Sequence, residues 1–245
     1  MVVGAFHAAP GRERHVFHRN LTGPAGMARA LARWTQFMAG LFGFGLSIAL
    51  MMRSRLGLGP WDAFHVGVHG LTGISVGTAS ILAGAVIIAG TWLIGERPQA
   101  GTLVNMVMIG VFLDFVLPYV PAAHGWSWGL AYFLGGIALC GLSTGLYIAP
   151  GLGKGPRDGL ALRVSERVGW PVRRVRTLIE LAVLGAGWAM GGPVGVGTIL
   201  FSLLIGPSMQ WGLQLFGVIP VGKAGSPAPA DGSRELQFKV QSAKS

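Results

Sequence analysis

Two six-residue segments hold the pattern best suited to chemistry. Gly57-Leu-Gly59-Pro60-Trp-Asp62 and Gly153-Lys-Gly155-Pro156-Arg-Asp158 both read Gly-x-Gly-Pro-x-Asp. Glycines allow positive φ and close approach of the backbone. A proline suits the first turn of a helix, where its missing N–H is no loss. The aspartate then falls in that first turn, where the helix dipole favours a negative charge. Each motif therefore ends one helix and starts another. Such a break near a membrane leaves N–H groups that could face an anion or an aspartate. Two readings stand: a substrate-facing turn built from Gly57, Gly59, Asp62, Gly153, Gly155 and Asp158, or a rigid capped turn with no ligand.

Further candidates follow from spacing. Asp62, His65 and His69 fall on one face of the helix that the first motif opens. Two histidines and a carboxylate could relay protons, and His65 and His69 are the proton-coupling candidates. The same set could only weakly suggest a metal, since no third histidine is near, and no metal is expected. The alternative is a polar face on an extracellular interfacial helix. Asp114 and Glu180 are the two acidic residues inside apolar runs, and charges there are costly unless functional or paired. Both join the substrate-binding candidates. Asp114 could instead reach the lipid headgroups, and Glu180 could pair with Arg176 four residues earlier. Asn105, Gln36, Gln210 and Gln214 suit hydrogen bonds between helices. Cys140, the single cysteine, reads as packing. The sequence has no Walker loop, GxSxG, HExxH or cysteine cluster, so neither an enzyme nor a cofactor is expected.

These residues sit in a chain that suits a bilayer. Of 245 residues, 51% are hydrophobic and 11% charged, against about 25% charged in soluble domains. So few charges cannot clothe a soluble globule, and the chain is too apolar for disorder. Its 41 glycines show no collagen period. Six apolar runs approach the ~20 residues that a spanning helix needs. They are Trp34–Met52, Val76–Gly95, Gly101–Tyr119, Trp126–Ala149, Val175–Met190 and Gly197–Ile219. Placing the N-terminus inside leaves only Arg53 and Arg55 of the 19 basic residues outside. Both termini are therefore expected in the cytoplasm of a multi-pass plasma-membrane protein. The net charge of +10 suits an anionic leaflet rather than nucleic acid, given its placement in tails and one loop. The stretch 1–33 reads as a basic cytosolic tail, not a signal peptide, with Met27 a plausible alternative start. The stretch 221–245 reads as a disordered tail.

The second half of the chain copies the first. With a shift of 96 residues (153 − 57), Gly45-Leu46-Ser47 falls on Gly141-Leu142-Ser143, Trp92 on Trp188 and Gly101-Thr102 on Gly197-Thr198. About a quarter of the gapless pairs from Phe37 to Ala122 are identical, well above what composition gives by chance. Three spans per copy make the copies inverted, an architecture common in secondary transporters. The expected fold is an all-α polytopic bundle of about six spans. Repeat 1 covers 34–123 and repeat 2 covers 124–220, with broken or interfacial helices after each motif. Residues 60–72 suit a half-helix or a surface helix. The helix after the second motif looks amphipathic and suited to the cytoplasmic surface, with Leu160, Ala161, Val164 and Val168 opposite Arg163, Glu166 and Arg167.

The segments GLGPWDAFHVGV, GISVGTASILAGAVI, GERPQAGTLVNMVMIGVFLD and GLGKGPRDGL resemble the bacterial YczE/YyaS/YitT family, most closely its YczE-like branch. The likeness covers about residues 34–219. It implies a multi-spanning bacterial plasma-membrane protein and carries over no catalytic or binding residue. Secondary transport or export of a small molecule is the expected function. The alternative is a non-transporting accessory or scaffold protein that regulates a partner protein, with the arginine-rich 154–176 surface as its docking face.

Overall fold

The computed structural model describes residues 24–219 apart from 94, 96, 97 and 154, and the side chains of 24, 25 and 158 are also outside the description. Most of the expected N-terminal tail, the whole C-terminal tail and the Asp158 side chain thus lie beyond the described residues. The described residues form α-helices and one short 3-10 turn. We number the helices α1 (Pro24–Ser54), α2 (Pro60–Thr72), α3 (Val76–Leu93), α4 (Ala100–Val116), α5 (Gly125–Ile148), α6 (Pro156–Val168), α7 (Val172–Ala189) and α8 (Val196–Leu215). The 3-10 turn Leu117–Tyr119 extends α4.

Five segments are long and apolar enough to cross a membrane: Gly26–Ser54, Val76–Leu93, Ala100–Tyr119, Gly125–Ile148 and Val196–Leu215. They match five of the six expected spans. The sixth, Val175–Met190, falls in α7, which carries Arg173, Arg174, Arg176 and Glu180 within its 18 residues. Helix α1 begins at Pro24, ten residues before Trp34. The segment MARALAR is rich in helix formers but too charged to register as apolar, so residues 24–33 belong to α1. Helices α2 and α6 have 13 residues each, about 20 Å at 1.5 Å per residue, too short for a ~30 Å hydrocarbon core.

Hydrogen bonds at both ends fix the helix directions. At one end, the Arg33 guanidinium at the start of α1 donates to the carbonyl of Pro150, just past α5. At the other end, the Ala123 N–H before α5 donates to the Arg53 carbonyl at 2.9 Å. Hence α1 and α5 are antiparallel. Arg53 Nη2 donates to the Leu117 carbonyl at 2.8 Å, which sets α4 parallel to α1. Gly197 N–H donates to the Leu56 carbonyl at 2.7 Å, and Ser208 Oγ donates to the Ile137 carbonyl at 2.6 Å. Helix α8 therefore runs beside and parallel to α5.

Small residues allow these approaches. A side chain at Gly212 would strike the Gly141 carbonyl, so α5 and α8 touch through backbone there. The core gathers where α1, α4 and α5 meet. Phe133, Met51, Leu113 and Ile137 form one buried cluster, and Phe37, Leu41 and Tyr147 another. The outward faces remain apolar, with Leu93, Val86, Leu203 and Ile199 well exposed. In water this would be a liability; against lipid tails it is the expected surface. Trp92, Trp126, Trp128, Trp170 and Trp188 sit exposed at or near helix ends, as interfacial aromatics do.

Candidate functional site

The chain does not run straight from α1 into α2. Arg55 takes a positive φ of 61° and Gly57 one of 111°, which turns the backbone sharply. Gly57 lies against Gly195, where any side chain would collide with backbone, so this position requires glycine on two counts. Leu58 N–H donates to the Pro193 carbonyl at 3.1 Å, which ties the turn to the loop before α8. The second motif is tied in a similar way. Gly153 lies against the backbone of Gly101 and Thr102 at the start of α4. Both motifs then open a helix with proline at its first turn, as expected.

The N-termini of α2 and α6 open on one cavity of about 140 Å³. Gly59, Pro60, Trp61 and Asp62 line it from the cap and first turn of α2, and Gly155, Pro156, Arg157 and Ala161 from the cap and first two turns of α6. Helices α3, α4 and α7 add Ser80, Gly84, Asn105, Met106, Arg176 and Glu180. Phe44, Tyr147, Phe201 and Met209 complete the wall, so all eight helices contribute. The Arg157 guanidinium stacks on the Trp61 ring, 4.8 Å from its centroid. Arg176 Nε donates to Glu180 Oε1 at 2.9 Å, the i,i+4 pair anticipated from sequence.

Two lining side chains are buried with an unmet hydrogen-bonding atom. Asp62 is 6% exposed, and its Oδ1 has no hydrogen-bond donor among the described residues. His65 Nδ1 lies 3.9 Å from that oxygen, beyond hydrogen-bond range. Asn105 is 2% exposed, and its Nδ2 has no acceptor among the described residues. A buried polar atom left alone costs about 1–3 kcal/mol. Both atoms belong to residues on the wall of the same cavity.

The other sequence candidates fall into three groups. Gly59, Asp62, Gly155 and Glu180 line the cavity, while Gly57 and Gly153 shape the turns behind it. Asp114 does not line it. Its Oδ1 accepts from Gly77 N–H at 2.8 Å and its Oδ2 from the Ser75 hydroxyl, which caps the start of α3. His65 and His69 are separated in role. His65 is 1% exposed, with its Nε2 unpartnered among the described residues, whereas His69 is exposed and its Nδ1 lies 2.6 Å from the Ile74 carbonyl. Among the described residues no group of three or more His, Cys, Asp or Glu is placed to hold a metal ion.

Helix α6 has one buried and one exposed side, as its amphipathic sequence suggests. Its N-terminus faces the cavity and buries Ala161 and Ser165, while the Arg163–Glu166 pair stays outside at 2.8 Å. Trp61 and Arg157 were invisible as cavity-lining residues in the sequence because they occupy the variable position of the motif. Their pairing at the same offset was the available signal.

The model of a family of unknown function, DUF6198, matches residues 31–213. The chain is 42% identical over 183 residues to a Bacillus subtilis protein described as uncharacterized membrane protein YczE, covering 74% of this chain and 85% of that one. It is 31% identical over 176 residues to an uncharacterized Haemophilus influenzae protein, covering 72% and 81%. It is 27% identical over 172 residues to the Bacillus subtilis protein YyaS, covering 69% and 86%. No solved structure matches the chain.

Proposed function

We propose, from the premise that this chain belongs to the DUF6198 family of unknown function and is an integral membrane protein, that it is a secondary transporter or exporter of a small molecule. The cavity between the α2 and α6 N-termini is its binding site. The observation that carries this reading is the origin of the cavity wall. With the shift of 96 residues, Gly59 falls on Gly155, Pro60 on Pro156, Trp61 on Arg157, Ser80 on Arg176, Gly84 on Glu180 and Asn105 on Phe201. Every one of these residues lines the cavity. A site that draws matched positions from two copies lies on the axis relating them, where transporters built from inverted repeats bind substrate.

The helix bounds support the two-copy reading. Adding 96 to Pro60–Thr72 gives 156–168, the bounds of α6, and adding 96 to Val76–Leu93 gives those of α7. The antiparallel course of α1 and α5, and of α4 and α8, supports inversion. On this reading α2 and α6 are half-helices that meet near the middle of the membrane. Helix α7 is the sixth span, its charged half in the headgroup region and along the cavity. The end that holds Arg29 and Arg33 faces the cytoplasm, with both termini. The site binds and moves its ligand without bond chemistry, so the protein is not an enzyme.

The test is side-specific labelling of Ser80→Cys in a Cys140→Ala background, with an impermeant maleimide on right-side-out and inside-out vesicles. A transporter that alternates its access reacts from both faces. Reaction from neither face fits the accessory protein with a dry bundle. Reaction from one face alone fits a pocket that does not exchange sides, and either of these results refutes transport.

A further inference from the structure

We infer that the cavity takes a small zwitterion, with its carboxylate at the N-terminus of α6 beside Asn105 and Arg157, and its ammonium at Asp62. This deepens the transporter reading and rests on it for the movement of the ligand. Binding rests on the cavity itself.

Two unmet groups set the requirement. Asn105 presents a buried N–H with no acceptor, so the ligand must offer an acceptor. Arg157 lies on the same wall, with its guanidinium over the Trp61 ring. Asp62 presents a buried oxygen with no donor, so the ligand must also offer a donor. A simple anion would meet the first need and be repelled by Asp62. A simple cation would meet the second and face two helix N-termini, which carry partial positive charge.

Charge balance points the same way. The described charged groups on the wall are Asp62, Glu180, Arg157 and Arg176, two of each sign. Glu180 and Arg176 already satisfy each other. A ligand of zero net charge with separated ends keeps that balance. The helix N-termini then favour its carboxylate, because backbone N–H groups and the dipole both attract negative charge. The free space, about 140 Å³, is small beside the ~300–1,000 Å³ of drug-sized pockets. Short amino acids fit that scale.

The test is calorimetric titration of the full-length protein in lipid nanodiscs with alanine, β-alanine and γ-aminobutyrate. Propionate and ethylamine serve as counterparts that each keep one charge. At least one zwitterion should bind, and at least tenfold more tightly than either counterpart. Asp62→Asn and Asn105→Leu should each weaken that binding about tenfold or more, since each removes a buried hydrogen bond to a charged group. Glu166→Gln, on the outer face of α6, should leave it unchanged.

Binding of propionate or ethylamine as tight as that of the best zwitterion overturns the inference. So does the failure of all three zwitterions to bind. If the two variants do not fold, the comparison of analogues on the unaltered protein still decides. Failure here with Ser80→Cys labelled from both faces sinks the substrate class and leaves transport standing. Zwitterion binding with labelling from one face does the reverse.

Discussion

Replacing Asp114 with alanine should destabilise the protein without touching ligand binding. Helix α3 begins with N–H groups that have no partner within the helix. Ser75 Oγ accepts from Thr78 N–H at 3.1 Å, and Asp114, reaching from α4, accepts from Gly77 N–H at 2.8 Å. The carboxylate also sits where the helix dipole favours it. Gly77 is buried, so the alanine variant strands its N–H against Gly110 of α4. A buried hydrogen bond to a charged group contributes about 1.5–3 kcal/mol. The bond to Ser75 is exposed and adds little. A loss of about 2 kcal/mol follows, a factor of about 30 in the folding equilibrium. For a chain of this size that is about 4–8 °C in melting temperature. Asp114→Asn keeps an acceptor oxygen and should recover about half of the loss. The assay is thermal melting of detergent-solubilised protein, read as the fraction that remains monodisperse. An alanine variant that melts with the parent protein, or one that loses zwitterion binding at full stability, would refute the capping role and return Asp114 to the binding site.

Other perturbations test the packing and the topology. Phe133→Ala empties a fully buried site in the main core cluster and should cost about 3–5 kcal/mol, measured by the same melt. Gly212→Leu forces α8 away from the Gly141 carbonyl and should abolish recovery of monodisperse protein, while Gly206→Leu, which has open space around it, should not. In the Cys140→Ala background, cysteines at Leu71 and Arg167, matched positions at the exposed ends of α2 and α6, should label from opposite faces of the membrane. Labelling of both from one face would overturn the inverted arrangement.

Much of the fold was legible because a bilayer demands simple things of a sequence. Val76–Gly95 was readable as a span because almost every residue in it is apolar, and α3 runs Val76–Leu93. Pro60 and Pro156 mark helix starts because proline has no other comfortable place in a helix. Hydropathy misses the start of α1, where charge overlies helix-forming residues at 24–33, and places the start of α7 three residues late for the same reason. The site was half legible. Asp62 and Glu180 stand out as charges in an apolar chain, and both line the cavity. Asp114 stands out for the same reason but caps a neighbouring helix. Composition reports that a buried charge needs a partner and is silent on whether the partner is a ligand or a backbone N–H. Asn105 shows the opposite failure. It is an ordinary amide in a span, and only the three-dimensional arrangement reveals that its donor has nothing to bind.

The stack of Arg157 on Trp61 bears on ancestry. An assembly of two identical chains related by a twofold axis brings like residues together across that axis. Trp61 and Arg157 hold equivalent places, so a self-associating half-length ancestor would have set tryptophan against tryptophan or guanidinium against guanidinium there. The second of these is repulsive at 5 Å or so. A cation–aromatic pair at that place requires the two halves to differ. On the two-copy reading, joining the halves in one polypeptide released each from copying the other, and the central contact is where that freedom makes the two sides of the cavity chemically unequal.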